Sequence, residues 1–392
     1  MPPELDHNMA SAFDFQLRTR IVYGPNKLDS LGDLAGELGA RRALVVTDPG
    51  VAAAGHTERG IKALRAAGIE THCFDGVCEN PTTVEVDAGV QIARRHDPEI
   101  IVGLGGGSSM DCAKGINFIY TNGGKMQDYW GVGKALKPML PMIAVPTTAG
   151  TGSEAQSFAL ISDAETHTKM ACGDKKASCR IALLDPTLTV TQPRSVTALT
   201  GIDAMAHALE TYVTKPRNPM SLTFSREAWR LLSANFRRVL DTPDDLDARG
   251  AMHLGACLAG LAIENSMLGI THSLANPLTA AYDIVHGQAV GIMLPHVLRF
   301  NAEKVGSWYD DLVNATAGEQ SGIVAHSGVE GLAQFIAASL KESGLKDRLG
   351  ELDVQKSRLS ELAEAAAQQW TAQFNPRETS IEQFENLYRE AL

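Results

Sequence analysis

Between Arg20 and Asp185 short β-branched runs alternate with amphipathic helical stretches, and beyond Gln192 no comparable strand run recurs. This change of period halfway along the chain is its strongest constraint. A run of four to six apolar residues bounded by helical stretches is buried on both faces, which argues for parallel strands joined by crossover helices. The strand candidates are RIVYG from Arg20, RALVVTD from Arg42, THCFDGV from Thr71, EIIVGLGGG from Glu99, PMIAVPTT from Pro141 and RIALLD from Arg180. Helical periodicity covers Leu28 to Leu38, Thr57 to Ala67, Val84 to His96 and Met110 to Ile119, and alternation around a polar turn predicts a hairpin from Phe158 to Met170. After Thr191-Gln192-Pro193 the pattern predicts helices at 198–213, 221–240, 246–266, 288–301, 329–343 and 357–374, with a last one from Ile381. The fold expected is an α/β N-terminal domain with a Rossmann-like parallel sheet (13–191), then an all-α C-terminal domain (192–392), after a flexible tail at 1–12.

At 392 residues the chain can bury two cores. A net charge of −11 without a basic cluster argues against nucleic acid or an anionic membrane as partner. No apolar run approaches the length of about 18 that a membrane span needs. The N-terminus carries acidic residues and lacks a signal-type apolar region, and the six cysteines show no C-x-x-C spacing. A cytoplasmic protein with free thiols is expected.

Two stretches carry chemistry. In GIDAMAHALETY, from Gly201, Asp203 and His207 stand four apart on one helical face. In GITHSLANPLTAAYDIVHG, Gly269 to Gly287, His272 and His286 each lie beside a glycine or a break, where an imidazole can point out of a helix end. One carboxylate and three imidazoles suit Fe2+, Zn2+, Ni2+ or Co2+ better than Mg2+ or Ca2+. An ion held this way can polarise an alcohol or carbonyl oxygen. The plain alternative is four core or surface residues without a ligand role.

Upstream, the apolar strand ending in GGGSS runs into a helix near Met110. Glycines let backbone N–H groups approach a pyrophosphate, and the helix N-terminus adds positive partial charge. Asp48, at the end of VVTD, sits where a strand end meets an adenosine ribose; a carboxylate there repels a 2′-phosphate and favours NAD over NADP. It could equally be a helix N-cap. The run PTTAGTGSE, Pro146 to Glu154, concentrates hydroxyls that can bind phosphate, ribose or a carboxamide.

Together these motifs resemble the iron-containing (group III) alcohol dehydrogenase family, in its G-x-D-A-x-x-H-x-x-E, G-x-x-H, H-G, GGGS-x-x-D and PTTAGTGSE patterns. The resemblance runs from about Phe15 to the C-terminus. It implies the two-domain architecture shared with dehydroquinate synthase, with Asp203, His207, His272 and His286 as metal ligands for Fe2+ (alternatively Zn2+). It implies NAD contacts from Asp48, Asn80, Gly105, Gly106, Gly107, Ser108, Ser109, Thr147, Thr148, Thr151, Ser153, Lys169 and Leu188, and a homodimer, for which the edge strand near Phe13 to Val22 is the candidate interface. The implied activity is NAD-dependent interconversion of a small alcohol or diol with its aldehyde or ketone. A hydroxyacid-oxoacid transhydrogenase with tightly bound NAD is the alternative, a dehydroquinate synthase-like lyase a further one, and a non-catalytic metal-binding relative a third.

Three residues depart from the family pattern. Gln156 and Phe158 replace smaller or more polar residues near the expected nicotinamide site. Asn276 in Asn276-Pro277-Leu278-Thr279 stands where many relatives carry a histidine, and asparagine cannot shuttle a proton near neutral pH. Proton release is then expected through water or ribose hydroxyls. His253 and His296, in apolar helical context, are expected to pack rather than to substitute for it.

Overall fold

The computed structural model describes residues 12–316, 322–324 and 326–392, so the expected tail falls outside the described residues up to position 11. Nine strands are described: β1 Arg20–Tyr23, β2 Arg42–Val46, β3 Glu70–Phe74, β4 Ile100–Gly105, β5 Gly131–Val132, β6 Met142–Pro146, β7 Phe158–Ser162, β8 Lys169–Gly173 and β9 Ile181–Leu184. Six form a sheet in the order β1-β9-β6-β4-β2-β3, parallel throughout. These six are the strand candidates of the sequence. The expected hairpin is β7 and β8, antiparallel, with β5 added along β8.

Helices α1 (Leu31–Glu37), α2 (Pro49–Ala53), α3 (His56–Ala66), α4 (Thr83–His96) and α5 (Gly107–Asn122) fill the connections of this half. One core lies on each face of the sheet. Leu44, Val46 and Ile101 point to the side of α4 and α5, while Val45, Ile100 and Val102 point to that of α1 and α3. Adjacent residues of one strand thus serve opposite cores, which is why the strands read as unbroken apolar runs.

Beyond β9 the chain is helical: α6 Arg194–Val213, α7 Pro219–Asp241, α8 Leu246–Glu264, α9 Ile270–Tyr282, α10 His286–Thr316, α11 Gly328–Glu342, α12 Leu359–Ala367 and α13 Ile381–Ala391. Among the described residues no helix is long and apolar enough to cross a membrane. The helical half packs around α6, fifteen of whose twenty residues are buried.

Two differences from the sequence reading concern the cleft. The segment around Asn276 is helical straight through Pro277. Its carbonyl partner one turn back, Ser273, lies in the first turn after Gly269, so proline removes only one bond of a short helix. Conversely, the helix expected over 357–374 stops at Ala367 and resumes as a short 3-10 turn, Ala372–Phe374. The break places Gln369, Trp370 and Thr371 along the cleft.

Candidate metal centre and cofactor cleft

In the order β3-β2-β4, the connections leaving β2 and β3 run to opposite sides of β2, so the topology reverses between β2 and β4. A crevice opens at the carboxyl ends of strands at such a point, the usual location of a dinucleotide in an open α/β sheet. Asp48 follows β2 and the GGGSS loop follows β4, so the two motifs meet there. The Ser109 hydroxyl donates to Asp48 Oδ2 at 2.9 Å. Asp48 also caps α2, accepting from the Val51 N–H at 3.0 Å. The capping role and the crevice position therefore coexist. Helix α5 is preceded by Gly106, which puts no side chain on its first N–H groups, leaving them available to an anion.

A cleft of about 340 Å3 extends from this loop to the helical half. Asn80, Gly106, Gly107, Ser108, Thr148, Thr151, Ser153 and Lys169 line it on the sheet side, and Asp203, His207, His272 and His286 on the other. Asn80, at φ 52°, does not cap α4; Thr82 does so with Glu85. The Asn80 N–H donates to Ser108 Oγ at 3.2 Å, and Lys169 Nζ donates to Asn80 Oδ1 at 3.4 Å. Desolvation in the cleft holds the Lys169 ammonium below its ordinary pKa, against the pull of Asp111, Asp203 and Glu79.

Gly105 and Thr147 lie just behind the cleft, the Thr147 N–H donating to the Gly105 carbonyl at 2.9 Å. Ser153 is held from behind: its hydroxyl donates to Asp111 at 2.5 Å and accepts from the fully buried Lys114 at 2.7 Å. Leu188 is wholly enclosed in the core under the sheet, which leaves only its backbone within reach of a ligand.

The four metal candidates come from three helices. Asp203 and His207 project from α6, His272 from the first turn of α9, and His286 begins α10. Asp203 Oδ1 lies 3.4 Å from His207 Nε2, 3.4 Å from His272 Nε2 and 3.7 Å from His286 Nε2. Ligand atoms held tetrahedrally about 2.1 Å from one ion stand about 3.4 Å apart. Asp203 Oδ1 and His272 Nε2 are buried without a hydrogen-bond partner, a costly arrangement unless a cation takes both. The donor set therefore fits a divalent transition ion.

Gly287 explains the H-G pair: a Cβ at this position would run into the Leu199 carbonyl of α6. Only glycine lets α10 start close enough to α6 for His286 to join the other three.

Titration follows the surroundings. Desolvation pushes His286 down to about 3 and holds His207 below its ordinary value, so both stay neutral and able to ligate. Burial opposes charge on His272 too, but Glu210 and Asp203 on either side outweigh it and push it up to about 9. Glu210 was legible only as the last letter of the G-x-D-A-x-x-H-x-x-E pattern, and no role was read from it. Its carboxylate takes the His272 Nδ1–H at 2.6 Å and the Thr271 N–H at 2.7 Å. A carboxylate only accepts, so Nδ1 keeps its proton, and an ion binding at Nε2 would take the place of the ring's second proton.

Models of two successive segments match the chain: iron-containing alcohol dehydrogenase over residues 18–186, and the C-terminal part of the Fe-containing alcohol dehydrogenase family over 197–392. The chain is 33% identical over 381 residues to a 1,3-propanediol dehydrogenase of Klebsiella pneumoniae, covering 97% of this chain and 98% of that one. It is 31% identical to an NAD-dependent methanol dehydrogenase of Bacillus methanolicus, covering 95% and 97%. A crystal structure of 1,3-propanediol oxidoreductase superposes with a TM-score of 0.93 at 33% identity, over 97% of this chain and all of that one. The sheet, the cleft and the four clustered donors are those of a two-domain metal-dependent oxidoreductase. The chain belongs to the iron-containing alcohol dehydrogenase family.

Proposed function

We propose that this protein is an NAD-dependent alcohol dehydrogenase that interconverts a small alcohol or diol with its aldehyde or ketone, assisted by Fe2+, with Zn2+ the alternative ion. The observation carrying this reading is that Asp203 Oδ1 stands 3.4, 3.4 and 3.7 Å from the Nε2 atoms of His207, His272 and His286, across one cleft from an uncapped helix N-terminus. A divalent ion supplies Lewis acidity toward an alcohol or carbonyl oxygen, and NAD supplies the hydride carrier. The chain supplies the alignment. The N-terminus of α5 and the hydroxyls of Ser108, Thr148 and Thr151 take the cofactor phosphates and nicotinamide arm, and Asp48 takes the adenosine ribose. Asn276 orients but does not titrate, so the alcohol proton leaves through cleft water or ribose hydroxyls.

The domains we assign are 13–191 for the cofactor and 192–392 for the metal. We also assign a cytoplasmic homodimer, paired through β1, which is an edge strand with Phe13 and Leu17 exposed beside it. The test is metal-free protein loaded anaerobically with Fe2+ or Zn2+ and assayed for NADH formation with primary alcohols and 1,2- and 1,3-diols. Turnover that depends on the ion and is lost in Asp203→Ala is the expected result. Silence with every alcohol, in protein that still binds NAD and metal, would overturn the reading.

A further inference from the structure

Once the cofactor loop and the four metal donors are assigned, one wall of the cleft remains. It combines Phe158 from β7 with Trp370, which the break after α12 sets at the cleft edge, 38% exposed, and the amide pair Asn276 and Gln369. The Phe158 and Trp370 rings stack at 5.8 Å between centroids, with 23° between planes. Phe374 meets Trp370 edge-on at 6.1 Å. Phe158 lies flat against Gly173, where any side chain would collide with its ring, so this apolar surface is fixed before a substrate arrives. Asn276 Nδ2 donates to Gln369 Oε1 at 3.0 Å; both amides are neutral at every working pH.

The charges of the cleft point the same way. Among the described lining residues Lys169 is the one Lys or Arg, against three carboxylates, Glu79, Asp111 and Asp203. Asp111 is already paired with the buried Lys114 at 3.6 Å and Glu79 is exposed, so the wall of Phe158, Trp370, Asn276 and Gln369 has no charged side chain of its own. A carboxylate or sulfonate placed against it would lose part of its hydration without a cationic partner.

We infer that the protein selects uncharged alcohols whose non-reacting end is apolar, aromatic ones included, and that Trp370 is the specificity-determining residue. The inference rests on the alcohol dehydrogenase reading and narrows it to alcohols without an anionic group at the end remote from the hydroxyl.

The test compares kcat/KM for ethanol, benzyl alcohol and 4-(hydroxymethyl)benzoate in the native protein and in Trp370→Ala and Trp370→Phe. Benzyl alcohol should exceed its carboxylated analogue by about tenfold, the order expected when a charge gives up part of its hydration without gaining a partner. Trp370→Ala should lower kcat/KM for benzyl alcohol about tenfold more than for ethanol, through KM, with Trp370→Phe restoring most of the loss. Calorimetric titration of metal-free protein with benzyl alcohol and its carboxylated analogue should give the same order of binding, which ties the preference to the wall. Equal efficiency for the neutral and anionic substrates, or an equal loss for ethanol and benzyl alcohol in Trp370→Ala, would overturn the inference while ethanol oxidation preserved the activity. No turnover of any alcohol, with metal and NAD bound, would overturn both.

Discussion

Replacing Glu210 by glutamine tests how the centre is held together, at a residue that never touches the ion. The native carboxylate accepts both the Thr271 N–H and the His272 Nδ1–H. Glutamine has one oxygen and one NH2 in place of two oxygens. If the oxygen keeps the Thr271 N–H, the NH2 faces Nδ1, which must become the acceptor. The His272 proton then sits on Nε2, 3.4 Å from Asp203 Oδ1, where the ion has to bind. Loss of such outer-shell support weakens metal binding by about 10–100-fold, or about 1.4–2.8 kcal/mol. The assay is anaerobic competition between the protein and a chromophoric chelator for Fe2+, Zn2+ and Co2+, with metal-free thermal unfolding as the control for folding. An affinity within about twofold of native, in protein that melts like the native chain, would refute the argument.

Three further outcomes follow from the site and its surroundings. In Asp203→Ala the stabilisation that an ion gives the folded protein, about 2.7 kcal/mol at a hundred times its Kd, should vanish; a metal-induced rise in Tm that survived would count against Asp203 as a ligand. Gly287→Ala should destabilise the protein by about 1–3 kcal/mol and weaken metal binding, because the new methyl group meets the Leu199 carbonyl; chemical denaturation and the chelator competition read the two effects. Burial pushes the Glu154 carboxyl up from 4.5 to about 7, with Lys114 and Cys257 pulling the other way. A raised carboxyl pKa means that the folded state binds the extra proton, so stability is greatest below about 4.5 and falls by about 3 kcal/mol as pH rises through 7. Glu154→Gln should flatten that decline between pH 5 and 8 in denaturant titrations, and parallel native and variant curves would refute it.

The inner strands of the sheet were legible because each faces a core on both sides. Val45 and Val46 serve opposite cores and are equally apolar, so the run carries its own signature. The metal candidates were legible for a related reason: Asp203 and His207 share a helical face, and the glycines beside His272 and His286 mark helix starts. Two features hid the substrate wall. The sequence pattern predicts no helix around Pro277, where one runs, and a continuous one over 357–374, where it stops at Ala367, so Asn276 and Trp370 gave no sign that they share a cleft. Glu210 was hidden differently, since its role depends on a partner 62 positions away.

One contact joins the two halves with almost nothing in between. Gly152, in the cofactor loop, lies so close to α8 that a Cβ on it would come 2.6 Å from the Gly260 Cα, and a Cβ on Gly260 would strike the Gly152 carbonyl. The cofactor loop and helix α8 are therefore spaced by backbone touching backbone, a mechanical stop with no charges in it. Salt and pH act on ions and leave such a stop alone. The packing of this loop on α8 should hold across conditions that reshape the acidic surface.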